Sequence, residues 1–378
     1  METIWVELGE RRYPIRVIPG GLTALGGELK TVGAGQRLAV VTDPIVRSLY
    51  GDPVLQALTG AGFAPTLIEV PAGEEQKSLQ WATRLWDAFL AARLDRGSAV
   101  VALGGGVIGD LAGFAAATYM RGLPLIQVPT TLLAQVDAAI GGKVGINHPL
   151  AKNLIGAFHQ PRLVLTDPLV LRSLPEREYR AGLAEVVKYG VVFDAALFTS
   201  IEARVPALLA RAPELLVELI TRCCRHKARV VAADEREAGG RALLNYGHTV
   251  GHALEAATTY QRYLHGEAVS IGMVCAAKIA WRTAVSDQAS ARRQEALLTA
   301  LGLPTRFEAI APERLMDIMA HDKKARDGKI PLILAEEIGR GRLVFDVSTD
   351  TVLEALGEIQ ETPLRAEETK GGKISATR

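Results

Sequence analysis

Three of the chain's seven histidines, His248, His252 and His265, fall in the stretch ALLNYGHTVGHALEAATTYQRYLHGEAV. His248 and His252 are four apart, so on a helix both imidazoles project from one face. Asn245 stands where it could cap that helix, its side-chain oxygen taking a free N–H of the first turn. His265 follows in His-Gly-Glu, a polar break before the apolar run AVSIGMVCAAKIAW. Imidazole is the commonest protein metal ligand and suits zinc, cobalt or iron. A catalytic zinc takes three protein ligands and keeps a position open for water or substrate. Upstream, in AGLAEVVKYG, Glu185 and Lys188 share a helical face, which adds a carboxylate to the candidates. A lone histidine reads as a satisfied polar residue, whereas this cluster reads as a metal centre. Spacing alone leaves open which of these groups are the ligands.

A second signal lies earlier. The apolar run AVVAL leads straight into Gly104-Gly105-Gly106-Val107-Ile108-Gly109-Asp110, which satisfies G-x-G-x-x-G between a strand and a helix. Glycines let the backbone approach a pyrophosphate, and the following helix start offers free N–H groups and a positive dipole end. No acidic residue stands about 20 positions further on to hold a ribose. Asp43 and Glu74, at the ends of earlier strand-like runs, suit that task better. Asp110 would repel a phosphate, so it supports the loop or contacts a sugar.

The segment PTTLLAQVDAAIGGKVGINHPLAKNLIGAFHQP is rich in polar groups among small residues. Thr130 and Thr131 follow a buried strand, Asp137 sits on an otherwise apolar helix, and Gly141-Gly142-Lys143 ends it. Lys143, Lys152 and Asn153 could surround an anion. Together with Arg121, Lys188, Lys227 and Arg241 they suit a small polyanionic substrate, since each phosphate or carboxylate takes several charge-assisted bonds.

The elements that must carry these groups follow from pattern. A length of 378 residues suggests two domains, at about 150 residues each. Residues 1–35 read as one or two edge strands around a turn, and RLAVVTD as a buried strand that delivers Asp43. Strand-like and helix-like runs then alternate through LPLIQVPTT, which means a parallel sheet with helices on both faces. Beyond about residue 175 the runs read as helices, with a late hairpin in KIPLILAEEIGRGRLVFDV. The division expected is 1–175, a Rossmann-like NAD-binding α/β domain, then 176–361, a mainly α-helical metal- and substrate-binding domain, with 362–378 a disordered tail. Lys+Arg 43 against Asp+Glu 42 leaves a net charge of +1, against a nucleic-acid binder. Cys223, Cys224 and Cys275 form neither a disulfide framework nor metal spacing. No signal-peptide core or membrane-length apolar run occurs, so a cytoplasmic protein is expected.

In order, PAGEEQKS, GGGVIGDLAGF, YMRG, PTTLLAQVD, GGKVGINHP, KNLIGAFHQP, LPEREYRAGLAEVVKYG, DEREAGGRALLNYGHTVGHALE, HGEAVSIGM and DKK closely resemble the 3-dehydroquinate synthase family. The resemblance implies Glu185, His248 and His265 as metal ligands, with zinc usual and cobalt able to substitute, and gives His252 to substrate. It places NAD against Asp43, against Gly73, Glu74, Glu75, Gln76 and Lys77, against Gly105, Gly106, Val107, Ile108, Gly109 and Asp110, and against Thr130 and Thr131. Lys143 and Lys152 match residues near cofactor and substrate. Substrate contacts carry over to Arg121, Asp137, Asn153, Lys188, Lys227, Arg241, Asn245 and His252, and to Lys323 and Lys324. Ala151, Val144, Ala134 and Ala138 depart from the family's usual Gly, Thr and Ser, and remove hydroxyls rather than charges.

The activity implied is conversion of 3-deoxy-D-arabino-heptulosonate 7-phosphate to 3-dehydroquinate and phosphate in the shikimate pathway, by a homodimer. NAD is reduced and reoxidised within a turnover; phosphate elimination, ring opening and an internal aldol closure complete the sequence. The alternatives are a sugar-phosphate cyclase acting on sedoheptulose 7-phosphate or glucose 6-phosphate, and a metal- and NAD-dependent polyol dehydrogenase. Arg241 and Lys227 favour a substrate with a carboxylate over the first, and the set of cations disfavours the second.

Overall fold

The computed structural model describes residues 2–149, 151–237, 239–308, 310–320 and 330–361. Nine strands occupy the first half: β1 (Glu2–Val6), β2 (Tyr13–Val17), β3 (Arg37–Thr42), β4 (Ala64–Glu69), β5 (Ala99–Gly104), β6 (Leu125–Pro129), β7 (Lys143–His148), β8 (Ala151–Phe158) and β9 (Leu163–Thr166). Seven make one sheet in the order β1-β2-β9-β6-β5-β3-β4. Every pairing from β2 to β4 is parallel, and only β1 runs antiparallel, at the edge. β3, β5 and β6 are almost wholly apolar and buried along their length, as strands covered on both faces must be. Helices α1 (Leu25–Thr31), α2 (Pro44–Val46), α3 (Asp52–Gly60), α4 (Leu79–Ala91) and α5 (Gly106–Thr118) fill the connections.

The sheet order creates a crevice. The chain leaves β3 for β4 on one side and then returns to β5 on the other, so the winding reverses between β3 and β5. Ligands of open α/β sheets bind outside the carboxyl ends of the strands at such a reversal. Asp43 follows β3 there, and Gly104–Gly106 joins β5 to α5.

The second half is helical: α6 (Glu176–Val192), α7 (Ala195–Ala203), α8 (Val205–Leu209), α9 (Pro213–Ala233), α10 (His248–Ala257), α11 (His265–Arg282), α12 (Gln288–Ala300), α13 (Pro312–Ala320) and α14 (Thr349–Ile359). The late hairpin forms, Leu332–Glu337 pairing antiparallel with Arg340–Val344, and packs on α11 and α6. Ile4, Val6, Tyr13, Ile15 and Val17 share one apolar cluster with these helices, so the first two strands are buried against the helical part. The architecture is a parallel-sheet α/β layer followed by a mainly helical one. Among the described residues no helix is long and apolar enough to cross a membrane.

One local expectation needs correction, and two others gain detail. Asn245 does not cap α10: it ends a 3-10 turn, and the residue before α10 is Gly247, in left-handed backbone. Of the first two strands, β1 lies at an edge of the sheet and β2 is interior, between β1 and β9. The polar stretch after Gly142 forms an antiparallel hairpin, β7 with β8, which the sequence pattern does not mark. Lys323, Lys324 and the segment 362–378 lie outside the described residues.

Candidate active site

Glu185 comes from the middle of α6, His248 from the first residue of α10 and His265 from the first residue of α11. Two close backbone contacts bring these helices together. A Cβ on Gly266 would overlap the Ala181 carbonyl of α6, and one on Gly272 would overlap the Gly247 carbonyl before α10. Glycine at both positions lets α11 lie directly on its neighbours. As a result the ligand atoms of Glu185, His248 and His265 fall within 4.8 Å of one another. His248 Nε2 is 3.5 Å and His265 Nε2 3.6 Å from the same oxygen, Oε1 of Glu185.

The ring nitrogens are oriented from behind. His248 Nδ1 donates to the Tyr246 carbonyl at 3.0 Å, which leaves the Nε2 lone pair facing Glu185. His265 Nδ1 donates to Glu255 Oε2 at 3.2 Å, which turns its Nε2 toward Glu185. Burial drives His248 well below its ordinary pKa, so its lone pair is available. Burial also pulls on His265, but hydrogen bonds and charge from Glu185 and Glu255 outweigh it and raise the ring to about 9. Glu185 is fully buried, and neither of its oxygens accepts a well-formed hydrogen bond. A buried carboxylate faced by two imidazole Nε2 atoms fits a divalent ion in a three-ligand catalytic site, which the ion would occupy in place of the His265 proton.

His252, Glu255 and His265 form a second close group. It shares His265 with the first group, and Glu255 already holds the Nδ1 of that ring. A neutral imidazole offers one lone pair, so the two groups compete, and the Glu185 group has the uncommitted acceptors. The His252 ring lies 5.4 Å from that of His248 and 5.9 Å from that of His265, beside the triad rather than within it.

The cations converge on the same side. Lys188 Nζ, one turn from Glu185 on α6, touches Glu185 Oε2 and lies 3.5 Å from Asp137 Oδ2. Lys227 of α9 pairs with Asp137 Oδ1. Burial, then the Arg241 charge, pulls the Lys227 ammonium down to about 7, against the opposite pull of the Glu237 and Asp110 carboxylates. Arg241 is 2% exposed and donates to the carbonyls of Glu235 at 2.5 Å and Gly141 at 3.3 Å. Lys143 pairs with Glu237, which also accepts from Asn245 Nδ2 at 2.8 Å. Lys152 Nζ lies 3.5 Å from Glu255 Oε1.

At the sheet reversal the glycine loop divides its tasks. A Cβ on Gly109 would meet the Gln127 side chain at 2.9 Å, so this glycine serves helix-on-sheet packing. A Cβ on Gly106 would meet only Ala138, at 3.6 Å, which leaves room above the loop for a ligand backbone. Asp43 takes the N–H groups of Ile45 and Val46 on Oδ1, at 2.9 and 3.0 Å, with Oδ2 left over. Asp110 supports the loop as expected, by pairing with Lys77 at 2.7 Å. Lys77 in turn donates to Asn153 Oδ1 at 2.5 Å, tying the turn after β4 to the β7–β8 hairpin. Of the departures noted, Ala138 lies on the loop, while Val144 packs against Gly113 in the α5 core.

One candidate is not brought in. Arg121 is exposed on left-handed backbone (φ 68°) beyond the far end of α5, and it makes no hydrogen bond or ion pair among the described residues. Conversely, sequence reasoning missed Glu237 and Glu255. Glu255 carried a signal, since it lies three residues after His252 on one helical face. Glu237 sits in an irregular turn (φ 60°) with no periodicity to mark it. A cavity of about 400 Å³ is lined by Phe193, His226, Arg229 and Arg241 among others, and touches the cation set only at Arg241.

Known proteins match this arrangement closely. Residues 67–181 match the family model described as 3-dehydroquinate synthase N-terminal, and residues 182–325 the one described as 3-dehydroquinate synthase C-terminal. The 3-dehydroquinate synthase of Geobacter metallireducens is 50% identical over 357 residues, 94% of this chain and 99% of that protein. Among solved structures, a 2-epi-5-epi-valiolone synthase from Streptomyces hygroscopicus with NAD⁺ and Zn²⁺ bound has a TM-score of 0.86 at 31% identity, covering 93% of this chain and 97% of that one. A 2-deoxy-scyllo-inosose synthase complexed with carbaglucose-6-phosphate, NAD⁺ and Co²⁺ has a TM-score of 0.84 at 27% identity, covering 94% of this chain and 99% of that one.

Proposed function

The chain belongs to the 3-dehydroquinate synthase family, and on that premise we propose how its residues carry the reaction. It is an enzyme that takes 3-deoxy-D-arabino-heptulosonate 7-phosphate to 3-dehydroquinate and phosphate, using NAD and a divalent ion. Division into a cofactor part, 1–175, and a metal and substrate part, 176–361, is consistent with the site lying where sheet and helices meet. Phosphate-eliminating lyase chemistry, a metal requirement, a homodimer and a cytoplasmic setting belong to the same reading.

Glu185, His248 and His265 hold the ion, and the crevice from Asp43 through Lys77 to Gly105–Asp110, Thr130 and Thr131 holds NAD. When bound, the ion supplies Lewis acidity at a hydroxyl and NAD supplies a hydride acceptor that becomes a donor. Lys188 and Lys227, sharing Asp137, bring positive charge to the buried side of the cleft. Lys143, Lys152, Asn153 and Asn245 surround its hairpin side with donors. Arg241 grips the substrate carboxylate: its buried guanidinium donates to two backbone carbonyls, and among the described residues the Glu237 and Asp234 carboxylates act on it through charge without a direct ion pair. His252, beside the triad, contacts substrate and can hold a proton there. A pocket that fixes the reacting atoms in this way drives the ring closure largely by orientation.

The observation that carries the reading is the convergence of the buried Glu185 carboxylate, two imidazole Nε2 atoms that face it and the Lys188–Asp137–Lys227 cluster. The test is phosphate release from the heptulosonate phosphate. Chelation should abolish it and zinc or cobalt restore it; full turnover by protein shown to be metal-free would refute the assignment.

A further inference from the structure

Glu255 faces two partners at once. It lies on α10, is 4% exposed, and has Oε2 at 3.2 Å from His265 Nδ1 and Oε1 at 3.5 Å from Lys152 Nζ. Lys152 belongs to β8 of the hairpin, and its ammonium also lies 4.3 Å from the centre of the Tyr260 ring. Tyr260 is placed by the turn that leaves α10: Thr259 and Tyr260 both have left-handed backbone (φ 52° and 59°), and the Tyr260 N–H returns to the Glu255 carbonyl at 2.8 Å. Lys152 is therefore held between a carboxylate and an aromatic face, both from the helical part. The rest of the outer strand has little cover, with Leu154 46% and Ile155 39% exposed.

We propose that Glu255 is a positioning residue, holding the metal ligand His265 with one oxygen and the hairpin's Lys152 with the other, so that metal seating and hairpin docking are coupled. The inference rests on the metal reading above. A carboxylate behind a ligating imidazole fixes the ring and raises its basicity. Since the carboxylate that orients His265 is the one that holds Lys152, an ion on the far side of the ring steadies the hairpin, and the coupling is reciprocal.

Two quantities test this: zinc affinity by chelator competition, and hydrogen exchange of residues 143–158 with and without saturating zinc. Glu255→Gln should weaken zinc binding about 10- to 100-fold, the usual effect of removing such a partner. In the wild type, zinc should slow exchange of the hairpin, and in Glu255→Gln and Lys152→Met it should not. If Glu255→Gln does not fold, Glu255→Asp, which withdraws the carboxylate by one methylene, reads the same quantities. Unchanged zinc affinity in the Glu255 variant, or hairpin slowing that survives in both variants, overturns the coupling. His248→Ala separates the two claims: its loss of zinc upholds the metal reading whatever the Glu255 variant does. Retention of wild-type zinc affinity in His248→Ala would remove that reading and this inference together.

Discussion

Glu185 and Lys188 touch across one turn of α6, and neither side chain has any exposure to solvent. Burial pushes the Glu185 carboxyl up, but Lys188, His248 and His265 more than offset it and hold it below the usual range. Removing one partner of such a pair strands the other charge, at a cost of about 3–5 kcal/mol. Lys188→Met should therefore lose stability of that order without metal. A divalent ion should restore part of it, because it supplies the missing positive charge. Denaturant unfolding with and without zinc measures both effects. A zinc-induced gain no larger in the variant than in the wild type would mean that Glu185 is not where the ion sits.

The histidines should separate by metal content. His248→Ala removes a triad nitrogen whose tautomer is fixed by the Tyr246 carbonyl, and the purified protein should lose its metal. His252→Ala should keep the metal and lose turnover. Elemental analysis of the two proteins decides, and loss of metal from the His252 variant would favour the competing group with Glu255.

Arg241 should determine preference for a carboxylate. A charge-assisted bond in a buried site is worth on the order of 2–5 kcal/mol when one partner is removed. That corresponds to roughly 30- to several-thousand-fold in kcat/KM. Arg241→Ala should lose about that factor on the heptulosonate phosphate with the metal still bound, and change weak turnover of sedoheptulose 7-phosphate little. Equal losses on both sugars would show that Arg241 supports the Gly141 turn rather than the substrate.

Much of this site was legible in the sequence, for identifiable reasons. Apolar runs ending in Asp43 and Gly104 marked the strands at the sheet reversal, because strands buried on both faces cannot hide their composition. The spacing of Glu185 and Lys188 gave one helical face. Spacing also overcounted, grouping His252 with His248, because the deciding factor is what stands behind each ring and that comes from other elements. Tyr246 offers only a backbone carbonyl, and Glu237 acts from an irregular turn, so neither leaves a periodic trace. The β7–β8 hairpin escaped notice because β8 is mostly exposed and lacks the alternation that betrays a half-buried strand. Leu163–Thr166 is simply short.

Away from the site, Asp194 offers a test of the helical part. Its carboxylate caps α7 through the Leu197 N–H at 3.0 Å and meets Arg222 at 2.8 Å and His226 at 2.9 Å, both on α9. Burial raises its pKa, but His226, the cap and Arg222 outweigh that and lower it. The stabilisation is therefore fully present above the ordinary aspartate value, about 3.9, and is lost as pH falls through the lower folded value. Asp194→Ala should cost about 1–3 kcal/mol near neutrality, and the gap from wild type should close in acid. A gap that stays constant down to the acid transition would mean that packing, not charge, sets the loss.

The central claim is that hydride leaves and returns within one turnover at this cleft. The direct measurement supplies NAD in far smaller amount than the heptulosonate phosphate and follows phosphate, 3-dehydroquinate and NADH absorbance together. Phosphate and product should accumulate one for one, well past the NAD supplied, while NADH stays flat. NADH rising in step with product, with turnover stopping when NAD is exhausted, would contradict the account.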